Sequence, residues 1–422
     1  MLSRSSAFRP SPALVAVPEA ALVAALVAAL VAILAAPAFA NTARPAMTAP
    51  SESAAGTLSS QSAAPPVPPR AAIRPYRLRE HGRERVDDYY WLRDDSRQNP
   101  EMLAYLAAEN AYTQAILAPT SRLQEKLYQE LAGRLKQDDD TVPYRKHGYW
   151  YYRRYEAGKE YDRLYRRQAS MTAPEELVLD LNELARGHDF FALGGWDVTP
   201  DGRLLAWTED TVSRRQYTIH VRDLATGERR AETIANCSGE VVWANDNRTF
   251  FYIEKDPVTL LGFRVRRHQL GSDPADDPVV WEEKDKSFYT GIFKSKSGRF
   301  VRIDSQSTLA SEVRLLDADR PTEPFRLFLP RERDHEYAVE DLGDRFVVRT
   351  NWQAKNFRLM VAPAATTSDR TTWRDLAAHR DDIFIDDFEA FPGFVAIAER
   401  SLGLRRLRIL PLDGSAERYV ES

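Results

Sequence analysis

The chain has 422 residues, 43% of them hydrophobic and 28% charged, with 58 Lys+Arg against 62 Asp+Glu and one cysteine. This balance excludes a disordered, collagen-like or polytopic membrane protein and gives no reason to expect a nucleic-acid partner. The lone Cys237 has no internal disulfide partner, so stability rests on packing, and a buried structural thiol is expected there.

The N-terminus carries Arg4 and Arg9, an unbroken apolar run from Ala20 to Ala36, and then Pro37-Ala38-Phe39-Ala40. A basic region, an apolar region and an A-x-A site together read as a secretory signal peptide over 1–40, cut after Ala40. The run sits at the bottom of the spanning length and is rich in alanine, so no stable membrane span is expected after cleavage. The expected location is periplasmic or secreted. Residues 41–70 are Ala, Ser, Thr and Pro with almost no large apolar side chain, which predicts a disordered linker.

Beyond the linker the chain turns charged and aromatic, and a helical arm is expected over 71–137. Asn99-Pro100 is a good helix start, and residues 101–118 carry apolar side chains near a 3.6-residue repeat. A second helix is predicted from Ser121 to about Lys136, where Leu123, Leu127, Leu131 and Leu135 fall on one face. Two such helices cannot form a core alone, so the arm is expected either to pack on something elsewhere or to rest as a hairpin on the body that follows.

From Thr141 onward the helical period gives way to a repeated unit: a polar turn, a dense aromatic or β-branched strand, a charged turn and a second strand. The turns fall at Gly148, Gly202, Asn247, Gly298, Gly343 and Gly393, spaced by about 54, 45, 51, 45 and 50 residues. Partner strands are predicted at Tyr161–Arg167, Tyr217–Asp223, Phe263–Arg267, Glu312–Asp317, Phe357–Val361 and Leu404–Leu410. A β-sandwich also has short strands and polar turns, but it does not predict six related hairpins at near-constant spacing. The expected fold is therefore mainly β: a β-propeller over 138–422 with about six blades, unclosed, preceded by the α-helical arm.

No motif in the chain supplies chemistry. Gly-x-Ser-x-Gly, the phosphate-binding and dinucleotide loops, His-Glu-x-x-His and paired cysteines are all missing from the sequence. The seven histidines (His81, His147, His188, His220, His268, His335 and His379) stand singly and are expected to be solvated or structural. Asp138-Asp139-Asp140 reads as a solvated linker rather than a cation site. The basic clusters Ser213–Tyr217 and Arg264–His268 are expected to pair with nearby carboxylates. No catalytic, cofactor or metal residue is assigned, and no cofactor is expected.

Specific strings go further than periodicity. Arg74-Pro75-Tyr76, Val86-Asp87-Asp88-Tyr89-Tyr90-Trp91-Leu92-Arg93-Asp94 and Glu109-Asn110-Ala111-Tyr112 resemble the N-terminal arm of the prolyl oligopeptidase family. Gln137–Lys146, Ser213–Tyr217, Val242–Asp246, Asp256–Leu261, Ser311–Asp317 and Asp334–Tyr337 resemble its oligopeptidase B branch, in order along the chain.

The resemblance implies a serine endopeptidase in which a seven-bladed propeller caps an α/β-hydrolase domain and admits short peptides for cleavage after Arg or Lys. It also implies that the helical arm packs on the catalytic domain, and that the Ser–Asp–His triad lies in a C-terminal region to which no residue here corresponds. The chain alone is therefore expected to be inactive, its hydrolase domain being supplied in cis or in trans. The alternative from a different class is a secreted, non-catalytic propeller that binds a peptide or protein partner.

Overall fold

The computed structural model describes residues 65–421. The signal peptide expected at 1–40 and residues 41–64 of the expected linker lie outside the described residues. The chain divides into two compact units at Lys136 and Gln137.

In the first unit, Tyr76–Glu80 and Arg83–Asp87 form an antiparallel hairpin. Its turn, His81-Gly82, takes positive φ at both residues (53° and 72°), the geometry a two-residue hairpin loop requires. Helix α1 spans Pro100–Leu117, with the Asn99 side chain accepting from the amides of Glu101 and Met102. The Asp94 carboxylate gathers the Ser96 hydroxyl and the amides of Ser96, Gln98 and Asn99 ahead of it. Those donors, the Ser96 hydroxyl first, hold it well below the usual carboxylate range, at about 2.

Helix α2 spans Ser121–Gly133. On its apolar face Leu123, Leu127 and Leu131 keep 55%, 47% and 53% of their surface. Among the described residues no helix is long and apolar enough to cross a membrane.

The second unit is a β-propeller of six antiparallel blades. Blade 1 is a five-stranded sheet, because its first strand is split into Asp139–Asp140 and Tyr144–Lys146. Blades 2 and 3 form one seven-stranded sheet, since Arg229–Trp243 is the last strand of the former and the first of the latter. Blades 4, 5 and 6 are four-stranded, beginning at Tyr289, Tyr337 and Phe384. Among the described residues no strand ladder joins blade 1 to blade 6.

Period-two alternation sends successive side chains of one strand to different neighbours. Leu205 and Trp207 pack towards blade 1 with Tyr151 and Leu164, while Leu204 and Ala206 pack towards blade 3 with Trp243 and Phe250. Phe250 and Tyr252 join that second cluster, whereas Phe251 and Ile253 join Ile292, Val301 and Ile303 of blade 4. Phe300, Val313 and Phe328 meet Phe346, Val348 and Met360 of blade 5, and Val347 and Leu359 meet Val395 and Ile397 of blade 6. Interior strands buried on both faces thus read as near-continuous apolar runs.

Close approach fixes one junction. A Cβ on Gly194 would stand 2.3 Å from Thr208 Oγ1 and 2.8 Å from Gly239 Cα. The Thr208 hydroxyl accepts from the Gly195 amide and donates to the Gly239 carbonyl, so the first strand of blade 2 and the long shared strand are pinned nearly backbone to backbone.

Candidate functional site at the propeller axis

The first strands of the blades end where the repeated polar turns begin, and those ends converge. Lys146, last residue of the first strand of blade 1, places Nζ 2.5 Å from Asp197 Oδ1 in blade 2. The other carboxylate oxygen of Asp197 accepts from the Trp243 amide at 3.1 Å, and its backbone carbonyl accepts from Trp243 Nε1 at 3.1 Å. Lys294, last in the first strand of blade 4, donates to the Trp243 carbonyl at 2.8 Å and to Asn245 Oδ1 at 2.5 Å. Four blades are joined in sequence by this chain of contacts.

The belt continues through the turn after Lys294. Ser297 Oγ donates to Asp341 of blade 5 at 2.7 Å. Lys296 reaches past blade 5 to Glu389 of blade 6 and sits 3.8 Å over the Phe391 ring. Polar turns predicted only as blade punctuation therefore carry the groups that line one end of the axis.

Burial sets the charge state of this end. It pulls the Lys294 ammonium down to about 8, against the raising effect of the Asp197 carboxylate. Burial first, then the charges of Lys146 and Lys294, also lowers His147. The arrangement can hold blade ends in place and sort charged chains by sign. Its lysines are spent on carbonyl and carboxylate partners.

The sequence-selected residues fall elsewhere. Asp138–Asp140 is solvent-exposed, as expected, but it is not a linker: Asp139 and Asp140 pair with Tyr155 and Arg154 as the opening strand of blade 1. Asp138 accepts from the Ala157 amide, and Asp140 takes two hydrogen bonds from the Arg154 guanidinium, so the run is held by an edge ladder that its charge concealed. The Ser213–Tyr217 cluster is a loop wrapped round Asp210, whose carboxylate accepts from the amides of Val212, Arg214 and Arg215. Arg264 and Arg266 pair with Glu282 and Glu254.

Cys237 is fully buried, its thiol directed at the carbonyls of Ile234 and Ala235, and burial pushes its pKa up. His268 is enclosed against Asp277, which also accepts from the Tyr252 hydroxyl. His335 is buried between Thr350 and Arg370. His220 lies against Glu209. His81 and His147 occupy positive-φ turns, and His379 has an enclosed Nε2 without a hydrogen bond. The His188 amide donates to the Ala185 carbonyl beyond a short helix. Among the described residues no group of His, Cys, Asp and Glu is placed to hold a metal ion.

Sequence reasoning did not single out Lys146, Asp197, Lys294 or Lys296. The available signal was positional: a charged residue at the end of a first strand, just before a repeated turn.

Residues 68–421 match the family described as prolyl oligopeptidase, N-terminal beta-propeller domain. Dipeptidyl aminopeptidase BI of Pseudoxanthomonas mexicana is 46% identical over 382 residues, which cover 86% of this chain and 52% of that protein. Protease 2 of Moraxella lacunata is 33% identical over 337 residues, covering 78% of this chain and 48% of that one. The chain thus spans about half the length of these curated relatives. Among solved structures, oligopeptidase B from Leishmania major superposes with a TM-score of 0.78 at 29% identity, covering 85% of this chain and 54% of that one. Oligopeptidase B from Trypanosoma brucei gives 0.77 at 29%, covering 84% and 53%.

Proposed function

Because this chain belongs to the prolyl oligopeptidase family, whose N-terminal propeller domain it carries, we propose that it is the access-controlling part of an exported peptidase that cleaves short peptides after Arg or Lys. The observation that carries the reading is the axial belt, in which Lys146, Asp197, Lys294, Lys296 and Glu389 tie blade ends together and set the charge met by an arriving chain. A polar rim of fixed charge favours short, soluble, charged peptides over apolar chains.

In this reading the nucleophile and its base come from a hydrolase domain corresponding to the part of the relatives that the match does not reach. The exposed leucine face of α2 suits an apolar partner surface of that kind. Export rests on the apolar run over 20–36 and the A-x-A site that follows it.

A second reading is favoured by the 46% identity to a protein named a dipeptidyl aminopeptidase: removal of dipeptides from free N-termini rather than internal cleavage. A chimera separates them. Residues 65–421 are joined to the unmatched half of the Pseudoxanthomonas protein and supplied with fluorogenic peptides ending in Arg, Lys or Gln, each with a free or acetylated N-terminus. The proposal expects cleavage after Arg and Lys from acetylated substrates. Hydrolysis of free N-termini alone favours the second reading, and a soluble, inactive chimera overturns both. The unfused chain is expected to resist labelling by a fluorophosphonate probe.

A further inference from the structure

At the other end of blades 4 and 5 lies a cleft of about 170 Å³, walled by Asp304 and Glu312 from blade 4 and by Glu336, Tyr337 and Arg349 from blade 5. Glu312 is fully engaged with Arg314 and Arg331. Glu336 and the end of Arg349 are not.

The Glu336 carboxyl has neither a hydrogen bond nor an ion pair among the described residues, although burial already disfavours its charge. Arg349 stacks its guanidinium 3.5 Å over the Phe357 ring and donates Nε to the Ile385 carbonyl. Its two terminal nitrogens carry no hydrogen bond among the described residues. The carboxylates nearest it in charge, Asp387, Glu336 and Asp386, act on it only through space. On the opposite wall, Asp304 is already paired, with Arg302 Nε 2.9 Å from its Oδ1.

The cleft thus offers a planar two-pronged donor on Arg349 and an unpaired carboxyl on Glu336. A purely cationic ligand leaves the guanidinium unmatched, and a purely anionic one meets Glu336 as a like charge. A dipolar ligand satisfies both, and a guanidinium fork matches a carboxylate in two parallel hydrogen bonds. The volume falls below the roughly 300 Å³ at which drug-sized pockets begin, so it suits one amino acid and not a peptide.

We propose that this cleft binds a small α-amino acid zwitterion, with its carboxylate on the Arg349 guanidinium and its ammonium on Glu336. Isothermal titration of the full chain with L-alanine, L-alaninamide and N-acetyl-L-alanine tests the assignment.

Saturable binding is expected for alanine, weakened at least tenfold for each blocked form. Glu336→Gln is expected to weaken alanine about tenfold while leaving the weak binding of N-acetylalanine unchanged. Arg349→Lys, which keeps the charge but not the fork, is expected to do the same with alaninamide as the insensitive probe. The proposal is overturned if alanine shows no saturable heat, if the three probes bind alike, or if Glu336→Gln melts cooperatively and binds alanine as the parent does. Glu336→Gln is isosteric and decides the matter should Arg349→Lys fail to fold.

Discussion

Asp197 in blade 2 holds Lys146 of blade 1 at 2.5 Å with one carboxylate oxygen and accepts the Trp243 amide at the start of blade 3 with the other. Three blades therefore share one charge. Asp197→Asn keeps the shape and removes the charge-assisted half of both bonds, which is expected to cost about 2 kcal/mol in urea unfolding. It also removes a charge that raises Lys294, so the Lys294 amine should titrate below its parent value of about 8. An unchanged unfolding midpoint counts against the belt as a structural tie.

His335 gives a pH signature with a defined sign. Arg370 Nη2 lies 3.2 Å from its Nδ1 and can only donate, so the ring is neutral, with Nε2–H directed to Thr350 Oγ1 at 2.9 Å. Burial first, then the Arg370 charge, pulls the ring from 6.5 down to about 4, against a raising effect of Glu332. Between those values the unfolded chain binds more protons than the folded one, so stability rises with pH through the window and is lost as pH falls. Unfolding measured from pH 7 to pH 4 should show a smaller decline in His335→Gln than in the parent, and parallel declines contradict this account.

The Gly194 junction predicts strain. Adding a methyl group forces Thr208 and the Gly239 backbone apart, and overpacking of that kind costs about 1–3 kcal/mol. Gly194→Ala should lower the unfolding midpoint, whereas Gly227→Ala, with nothing near its Cβ but a φ of 76°, should show only backbone strain. Equal losses at both positions argue against a contact origin.

The α2 face predicts the reverse. Leu127 and Leu131 are about half exposed, so Leu127→Gln with Leu131→Gln should change stability by less than about 0.5 kcal/mol. The same pair should reduce self-association in sedimentation velocity, because the substitution removes an uncovered apolar stripe. A large loss of stability means the face is covered within the chain.

The sequence made some parts of this architecture plain and hid others. The second and third strands of each blade were legible because Phe250–Tyr252, Val347–Val348 and their counterparts are dense in aromatic and β-branched residues beside a turn. Four of the five turn glycines and Asn247 take positive φ, the conformation their residue types announce. First strands were hidden: Ala192–Val198 carries Gly194 and Gly195, chosen for close approach at the cost of strand propensity. Fourth strands such as Arg374–Ala377 and Arg418–Tyr419 are too short and polar to show a period. The axial belt escaped notice because its members come from different blades and share no local motif.

The claim that this propeller restricts access is tested most directly by the chimera of residues 65–421 with the unmatched half of the Pseudoxanthomonas relative, assayed on a short Arg-containing peptide and on casein. The account predicts rapid cleavage of the peptide with casein left intact, and release of casein digestion when Lys296→Ala and Glu389→Ala remove the link between blades 4 and 6. Digestion of casein by the parent chimera at a rate comparable to that of the peptide contradicts it.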